Sequence, residues 1–172
     1  DVIEKGTSIA LGVEFSGNKL DENNLPGGEN YSFSVGQLYN MNENNDIPVR
    51  SSFNDQTSDI VGKGFVKLKD SLKLTNEFAI DQNLNELNYN ELGINYIGEN
   101  LNFNIKYLEE NNHIGSTNYI KSDLKVELNE SSEMSFDFRR NIETESTEFY
   151  SLAYNYLNDC LRAGVVFRRK FY

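Results

Sequence analysis

The sequence has one cysteine, one histidine and no tryptophan among its 172 residues. A lone cysteine cannot form a disulfide within the chain, and one cysteine with one histidine cannot build a zinc ribbon or finger. Unbroken apolar runs reach only about three residues, as at 165–167, whereas a membrane-spanning helix needs roughly 20. Residues 1–5 lack the cationic segment and apolar stretch of a signal peptide, so we expect a mature or truncated chain or a cytosolic start.

Basic residues are also scarce, since 16 Lys and Arg face 27 Asp and Glu and give a formal net charge of −11. Non-specific binding to nucleic acid relies on clustered Lys and Arg that contact phosphates. Only Arg139-Arg140 and Arg168-Arg169-Lys170 form basic clusters in this sequence. The composition therefore disfavours a nucleic-acid-binding protein.

Apolar residues recur with period two over most of the chain. Leu101, Phe103, Ile105 and Tyr107 alternate with polar residues, and the segments 9–15, 31–39, 72–81, 120–128, 134–139 and 161–167 follow the same pattern. Successive side chains of a β-strand point to opposite faces, so each segment is predicted to be a strand with one apolar face. No helical spacing is sustained, and the sequence predicts an all-β protein.

The predicted strands are long and their connections alternate in length. Starts near 59, 72, 87, 101, 118, 132, 147 and 160 give segments of nearly ten residues, the length with which a tilted strand crosses a bilayer. Short turns near 70, 99, 130 and 158 alternate with longer links at 41–58, 81–86, 109–117 and 142–146, and only the long early link Gly17–Asn30 breaks the order. This rhythm favours an antiparallel up-and-down transmembrane β-barrel segment of about ten strands.

The alternation does not indicate whether the polar or the apolar face lines the interior, because a soluble barrel and an outer-membrane barrel produce the same pattern. Strand length and loop rhythm favour the membrane barrel. A passive porin-like or adhesive outer-membrane barrel and a soluble β-sandwich binding module stay open as alternatives.

Several motifs resemble the barrel of the LPS-assembly outer-membrane protein, the LptD family. They are Tyr31-Ser-Phe-Ser-Val-Gly-Gln-Leu-Tyr39, Ser58-Asp-Ile-Val-Gly62, Tyr156-Leu-Asn-Asp-Cys-Leu161 and Phe167-Arg-Arg-Lys-Phe-Tyr172. Each motif alone is weak, but their order and intervals resemble those of the family over nearly the whole chain. The resemblance implies a barrel of more than twenty strands, of which residues 1–172 would be a C-terminal fragment that lacks the gate strands.

The resemblance also implies a function without bond chemistry. Such proteins receive lipopolysaccharide from a periplasmic bridge protein and insert it into the outer leaflet of the Gram-negative outer membrane, with a lipoprotein plug inside the barrel. We therefore expect a transport and assembly component rather than an enzyme, with no cofactor, no metal site and no catalytic residue.

Two sets of residues become candidates through the resemblance. Cys160 matches the position of family cysteines that form a disulfide with the periplasmic domain, although a free thiol remains open because any partner lies outside this sequence. Guanidinium groups pair bidentately with phosphates, so the arginines are possible lumen or phosphate contacts; these are Arg139, Arg140, Arg168 and Arg169. The plainer alternative is charge balance with acids such as Asp137, and alternation allows only every second residue of each cluster to face the lumen.

Overall fold

The computed structural model describes residues 6–20, 26–43, 52–53, 55–111 and 116–171. Ten β-strands account for most of them, and no helix in these ranges is long and apolar enough to cross a membrane. The strands are β1 (Ser8–Leu20), β2 (Pro26–Asn40), β3 (Ile60–Lys69), β4 (Leu72–Ile80), β5 (Leu87–Ile97), β6 (Leu101–Glu110), β7 (Thr117–Asn129), β8 (Ser132–Asn141), β9 (Ser146–Leu157) and β10 (Arg162–Lys170). The all-β prediction is confirmed.

All ten strands form one sheet in which each strand neighbours the next along the chain, from β1 to β10. The pairs β1–β2, β2–β3, β7–β8, β8–β9 and β9–β10 are antiparallel. Connections at 70–71, 98–100, 130–131 and 158–161 alternate with those at 41–59, 81–86, 111–116 and 142–145. The sheet is thus an up-and-down meander that is not closed within this chain, as expected for a segment of a barrel.

The expected break between Gly17 and Asn30 is wrong. β1 continues to Leu20 and β2 already begins at Pro26, and the ladder between them shifts register at Gly17/Asn18 and again at Asn18/Leu20. These irregularities interrupt the period-two pattern while backbone pairing continues, so alternation alone could not reveal the strand. The connecting residues 21–25 lie outside the described residues.

Short polar side chains shape several connections by accepting hydrogen bonds from backbone N–H groups a few residues ahead. Asp81 Oδ2 accepts from the N–H of Asn83, and Asn129 Oδ1 accepts from the N–H of Ser131. Asn141 Oδ1 accepts in the same way within the 142–145 connection. Such Asx turns reverse the chain without help from tertiary packing, which explains why the sequence signals these turns clearly.

The chain divides into two compact units. One comprises Asp1–Val66, Thr75–Glu91 and Glu109–Ser116; the other comprises Lys67–Leu74, Leu92–Leu108 and Thr117–Tyr172. Among the described residues, the buried hydrophobic side chains are only Ala79 and Leu108, whereas Val13 is 75% exposed and Val165 is 71% exposed. Large apolar side chains of the described strands are thus exposed on the surface of the sheet.

Candidate functional site

Strands β7 to β10 present one apolar face. Residues that pair across neighbouring strands share a face, so each row of the ladder can be followed over four strands. The rows of this apolar face are Val126–Met134–Tyr154–Val165, Leu124–Phe136–Leu152–Phe167 and Ser122–Phe138–Tyr150–Arg169. Phe136 and Phe138 stack with ring centroids 6.2 Å apart, and six large side chains of this face are 36–71% exposed, namely Met134, Phe136, Leu152, Tyr154, Val165 and Phe167.

The opposite face of the same strands is largely polar. Its rows are Glu127–Glu133–Asn155–Gly164, Lys125–Ser135–Ala153–Val166, Asp123–Asp137–Ser151–Arg168 and Lys121–Arg139–Phe149–Lys170. Acidic and basic residues are interspersed along these rows, so opposite charges lie near each other. We call this surface the polar face and the preceding one the apolar face.

Ion pairs and hydrogen bonds link the charges of the polar face. Lys125 Nζ lies 2.7 Å from Glu133 Oε2, and the Asn155 side-chain amide donates to Glu133 Oε1 at 3.1 Å. Lys121 Nζ lies 3.4 Å from Asp123 Oδ1. Each lysine side chain remains more than 40% exposed, so these contacts order the surface while contributing at most about 1 kcal/mol each.

The structure separates the four candidate arginines. Arg139 and Arg168 lie on the polar face, whereas Arg169 shares the apolar row of Tyr150. Arg140 pairs with Ile120 and therefore also belongs to the apolar face. The adjacent members of each cluster thus point to opposite sides, as alternation requires, and the four side chains do not form one group.

Arg139 contacts both a carboxylate and an aromatic ring. Its Nε lies 2.7 Å from Glu148 Oε2 as an ion pair without hydrogen-bond geometry, and its guanidinium carbon lies 4.2 Å from the centre of the Tyr119 ring. Glu148 reaches this position because the β8–β9 register shifts between Arg139 and Arg140 and leaves Glu148 as the extra residue. This bulge was not predicted, since an inserted residue carries no periodic signal.

Cys160 lies in the 158–161 connection between β9 and β10. Its thiol is free and exposed, and its backbone N–H donates to Asn158 Oδ1 at 3.0 Å. The same oxygen accepts from the N–H of Leu161 at 2.7 Å. Asn158 therefore fixes the turn that presents the thiol to solvent.

In the other unit, β1, β2 and β3 repeat the two-faced arrangement. One face carries the rows Gly12–Gly36–Val61 and Glu14–Ser34–Lys63, and the opposite face carries Val13–Val35–Gly62 and Phe15–Phe33–Gly64. An open cavity of about 620 Å³ is lined by both rows of the first face and extends to Glu77, Ala79 and Tyr89; it is also bordered by Val13, Val35, Gly62 and Phe78. Sequence reasoning missed this cavity, because the pairing of Gly12 with Gly36 becomes visible only once the register is known.

Aromatic rings cover glycines on the apolar face of this unit. A Cβ atom added to Gly62 would collide with the ring of Phe78, and one added to Gly17 would collide with the ring of Tyr31. Phe78 also stacks near Phe33, with ring centroids 6.4 Å apart. A glycine on one strand thus gives an aromatic side chain of the neighbouring strand a place to lie flat against the sheet.

Within the part of the chain that the structure describes, no group of three or more His, Cys, Asp or Glu side chains could hold a metal ion. What β7–β10 offer is a surface of mixed charge on one side and an open apolar surface on the other.

Comparison with known protein families matches residues 1–139 to LPS transport system D, LptD. The chain belongs to the LptD family. The match covers β1 to β7 and most of β8, so the motifs at 31–39 and 58–62 lie inside it, whereas those at 156–161 and 167–172 lie beyond it. No curated protein matches the chain. LptD proteins serve lipopolysaccharide transport and assembly and belong to the outer membrane, and the open meander of strands fits a segment of an LptD barrel.

Proposed function

We propose that this chain forms part of the wall of an outer-membrane barrel that inserts lipopolysaccharide into the outer leaflet of a Gram-negative bacterium. The observation that carries the proposal is the LptD match over strands that have one apolar and one polar face. The apolar face contacts lipid, and the polar face lines the aqueous lumen. The protein moves its substrate without making or breaking a covalent bond.

The partners follow from the same proposal. Lipopolysaccharide is the cargo, a periplasmic bridge protein delivers it, and a lipoprotein plug occupies the lumen. The wall supplied by β7–β10 offers the plug and the cargo a surface of alternating charge, with ion pairs such as Lys125–Glu133. Surfaces of this kind bind polar partners without a large apolar patch.

Among the arginines, we propose Arg139 and Arg168 as lumen residues that can meet phosphate groups of the cargo, because both lie on the polar face. We place Arg140 and Arg169 near the membrane interface instead. Both occupy the apolar face close to a strand end, where a long side chain can reach the headgroups.

Cys160 is proposed to form a disulfide with a periplasmic domain. Its support is an exposed free thiol in the tight 158–161 connection. An oxidising compartment such as the periplasm allows such a bond to persist.

The test of the proposed function is depletion of the protein in the bacterium that encodes it. Lipopolysaccharide on the cell surface is then measured with an impermeant label, and an abundant unrelated outer-membrane barrel serves as the control. Depletion should remove newly made lipopolysaccharide from the surface while the control barrel stays labelled. Unchanged surface lipopolysaccharide, or ion conductance through an unplugged pore as the main activity, would contradict the proposal.

The membrane placement has its own test in native envelopes. A lipid-soluble photoprobe should modify residues of the predicted apolar positions, namely Phe103, Ile105, Val126 and Phe136. If these residues stay unmodified while other barrels in the same envelope react, the apolar face does not contact lipid.

A further inference from the structure

The floor of the cavity at β1–β3, formed by Gly12, Gly36 and Val61, consists largely of bare backbone. Gly12 and Gly36 lie directly opposite each other in the β1–β2 register, and Val61 continues the row on β3. A Cβ on Gly12 would come within 3.2 Å of the Val35 carbonyl oxygen, and one on Gly36 within 3.3 Å of the Leu11 carbonyl oxygen. Because these two paired glycines have no side chains, the backbone of both strands is exposed at this point. Glycine in a strand often marks a place where a ligand comes close to the backbone.

Polar groups surround this floor. Glu14, Ser34 and Lys63 form the adjacent row on the same face, and Glu77 and Tyr89 line the far side of the cavity. Glu14, Lys63 and Glu77 are exposed, so their charged ends are accessible to a ligand in water. The volume of about 620 Å³ falls within the range of small-molecule sites.

This combination suits a sugar ring. Carboxylates accept hydrogen bonds from sugar hydroxyls, the hydroxyl of Ser34 can donate or accept, and the bare backbone with Val61 and Ala79 gives the C–H face of the ring a flat apolar surface. Two carboxylates against one ammonium group leave a net charge of minus one around the cavity. That charge favours an amine on the sugar and disfavours a phosphate.

We propose that this cavity is a binding site for a neutral or amine-bearing sugar unit of the saccharide that passes along this face of β1–β3. The site rests on the proposed function, since it takes its ligand from the carbohydrate of lipopolysaccharide. This site would make the barrel wall selective, because β1–β3 would bind unphosphorylated sugar units and would not bind phosphorylated ones.

The test uses the whole protein that carries this chain, purified in detergent, and ligand-observed NMR titration. The probes are methyl glucoside, methyl glucosaminide and glucose 6-phosphate. At a pH where its amine is protonated, methyl glucosaminide should bind about fivefold more tightly than methyl glucoside, the ratio for one unit charge at about 4 Å in water. Glucose 6-phosphate, whose phosphate carries about 1.5 to 2 negative charges, should bind about 15- to 30-fold more weakly. Tighter binding of the phosphate sugar, or no difference among the three, would overturn the site.

A matched pair of variants locates the binding. Val61→Trp fills the floor of the cavity and should abolish binding of methyl glucosaminide. Val66→Trp makes the same change on β3 but on the opposite face, where Val66 pairs with Tyr31, and should bind like the wild type. Equal binding by both variants would place the sugar elsewhere on the protein.

A second variant keeps the test decisive if Val61→Trp does not fold. Glu14→Gln combined with Glu77→Gln keeps the shape of the cavity and removes both negative charges. It should lose the preference for methyl glucosaminide over methyl glucoside, and a retained preference would contradict the proposal. Depletion of surface lipopolysaccharide tests the transport function separately, so sugar binding can fail while transport stands, and the reverse.

Discussion

Two adjacent valines of β10 allow the assignment of the faces to be tested with one substitution. Val165 pairs with Tyr154 in an apolar row, and Val166 pairs with Ala153 in a polar row. Both are well exposed, at 71% and 59%. Val165→Lys and Val166→Lys therefore match in starting residue, new residue and strand, and they place the charge on opposite faces of the sheet.

The expected cost of Val165→Lys follows from its place on the strand. Val165 is one residue from the middle of β10 (Arg162–Lys170). With a rise of about 3.4 Å per residue and a tilt of about 40°, it lies about 2.6 Å from the mid-height of the strand. A lysine on the lipid face at that depth costs about 2–4 kcal/mol, or about 30- to 1,000-fold in the folding equilibrium.

Val166→Lys should cost less than about 1 kcal/mol. The new ammonium group would face water on the polar face, where its nearest like charge along β10 is Arg168 and the repulsion is screened.

The assay is urea-dependent folding of the whole protein into phospholipid vesicles, followed by the mobility shift that folded barrels show on unheated gels. Val165→Lys should fold only at distinctly lower urea, and Val166→Lys should follow the wild type. Equal costs for the two variants, or a larger cost for Val166→Lys, would refute the assignment of the faces.

Three further predictions use the same folding assay or a gel. Gly62→Ala should destabilise the protein by about 1–3 kcal/mol because the new methyl group meets the Phe78 ring, and adding Phe78→Leu should recover part of that loss; additive losses would contradict the contact. Arg139→Gln should cost less than about 1 kcal/mol, since its ion pair with Glu148 is about one-third exposed, and a larger loss would mean that the pair is buried in the assembled protein. Cys160→Ser should remove a disulfide-linked species that is visible on non-reducing gels of native envelopes and lost on reduction; the absence of that species from the wild type would exclude the bridge.

The strand pattern could be read from the sequence wherever the two faces differ in polarity. The strands at 72 and 101 begin where the apolar alternation begins, because the polarity of each side chain indicates the face on which it lies. The turns could also be predicted from the sequence, since the side chains of Asp81, Asn129 and Asn158 form them through local hydrogen bonds to the backbone. The up-and-down order then follows from short antiparallel connections alone.

Features that depend on register were not predictable. The end of β1 was misjudged because its last residues pair through shifts at Gly17 and Asn18, which break the alternation. The apposition of Gly12 and Gly36 depends on how two strands align, and neither residue reveals that alone. The contact of Arg139 with Glu148 likewise depends on a bulge, so its partner could not be named in advance.

The scarcity of buried hydrophobic side chains has a consequence for biogenesis. With Ala79 and Leu108 as its buried apolar residues among those described, the sheet gains little from collapse in water. If the apolar face contacts lipid, as proposed, these side chains lose their contact with water on entering the bilayer, and strand pairing satisfies the backbone groups that lipid cannot. The proposed placement therefore couples folding to insertion, and before insertion the chain would need a chaperone that keeps it from aggregating.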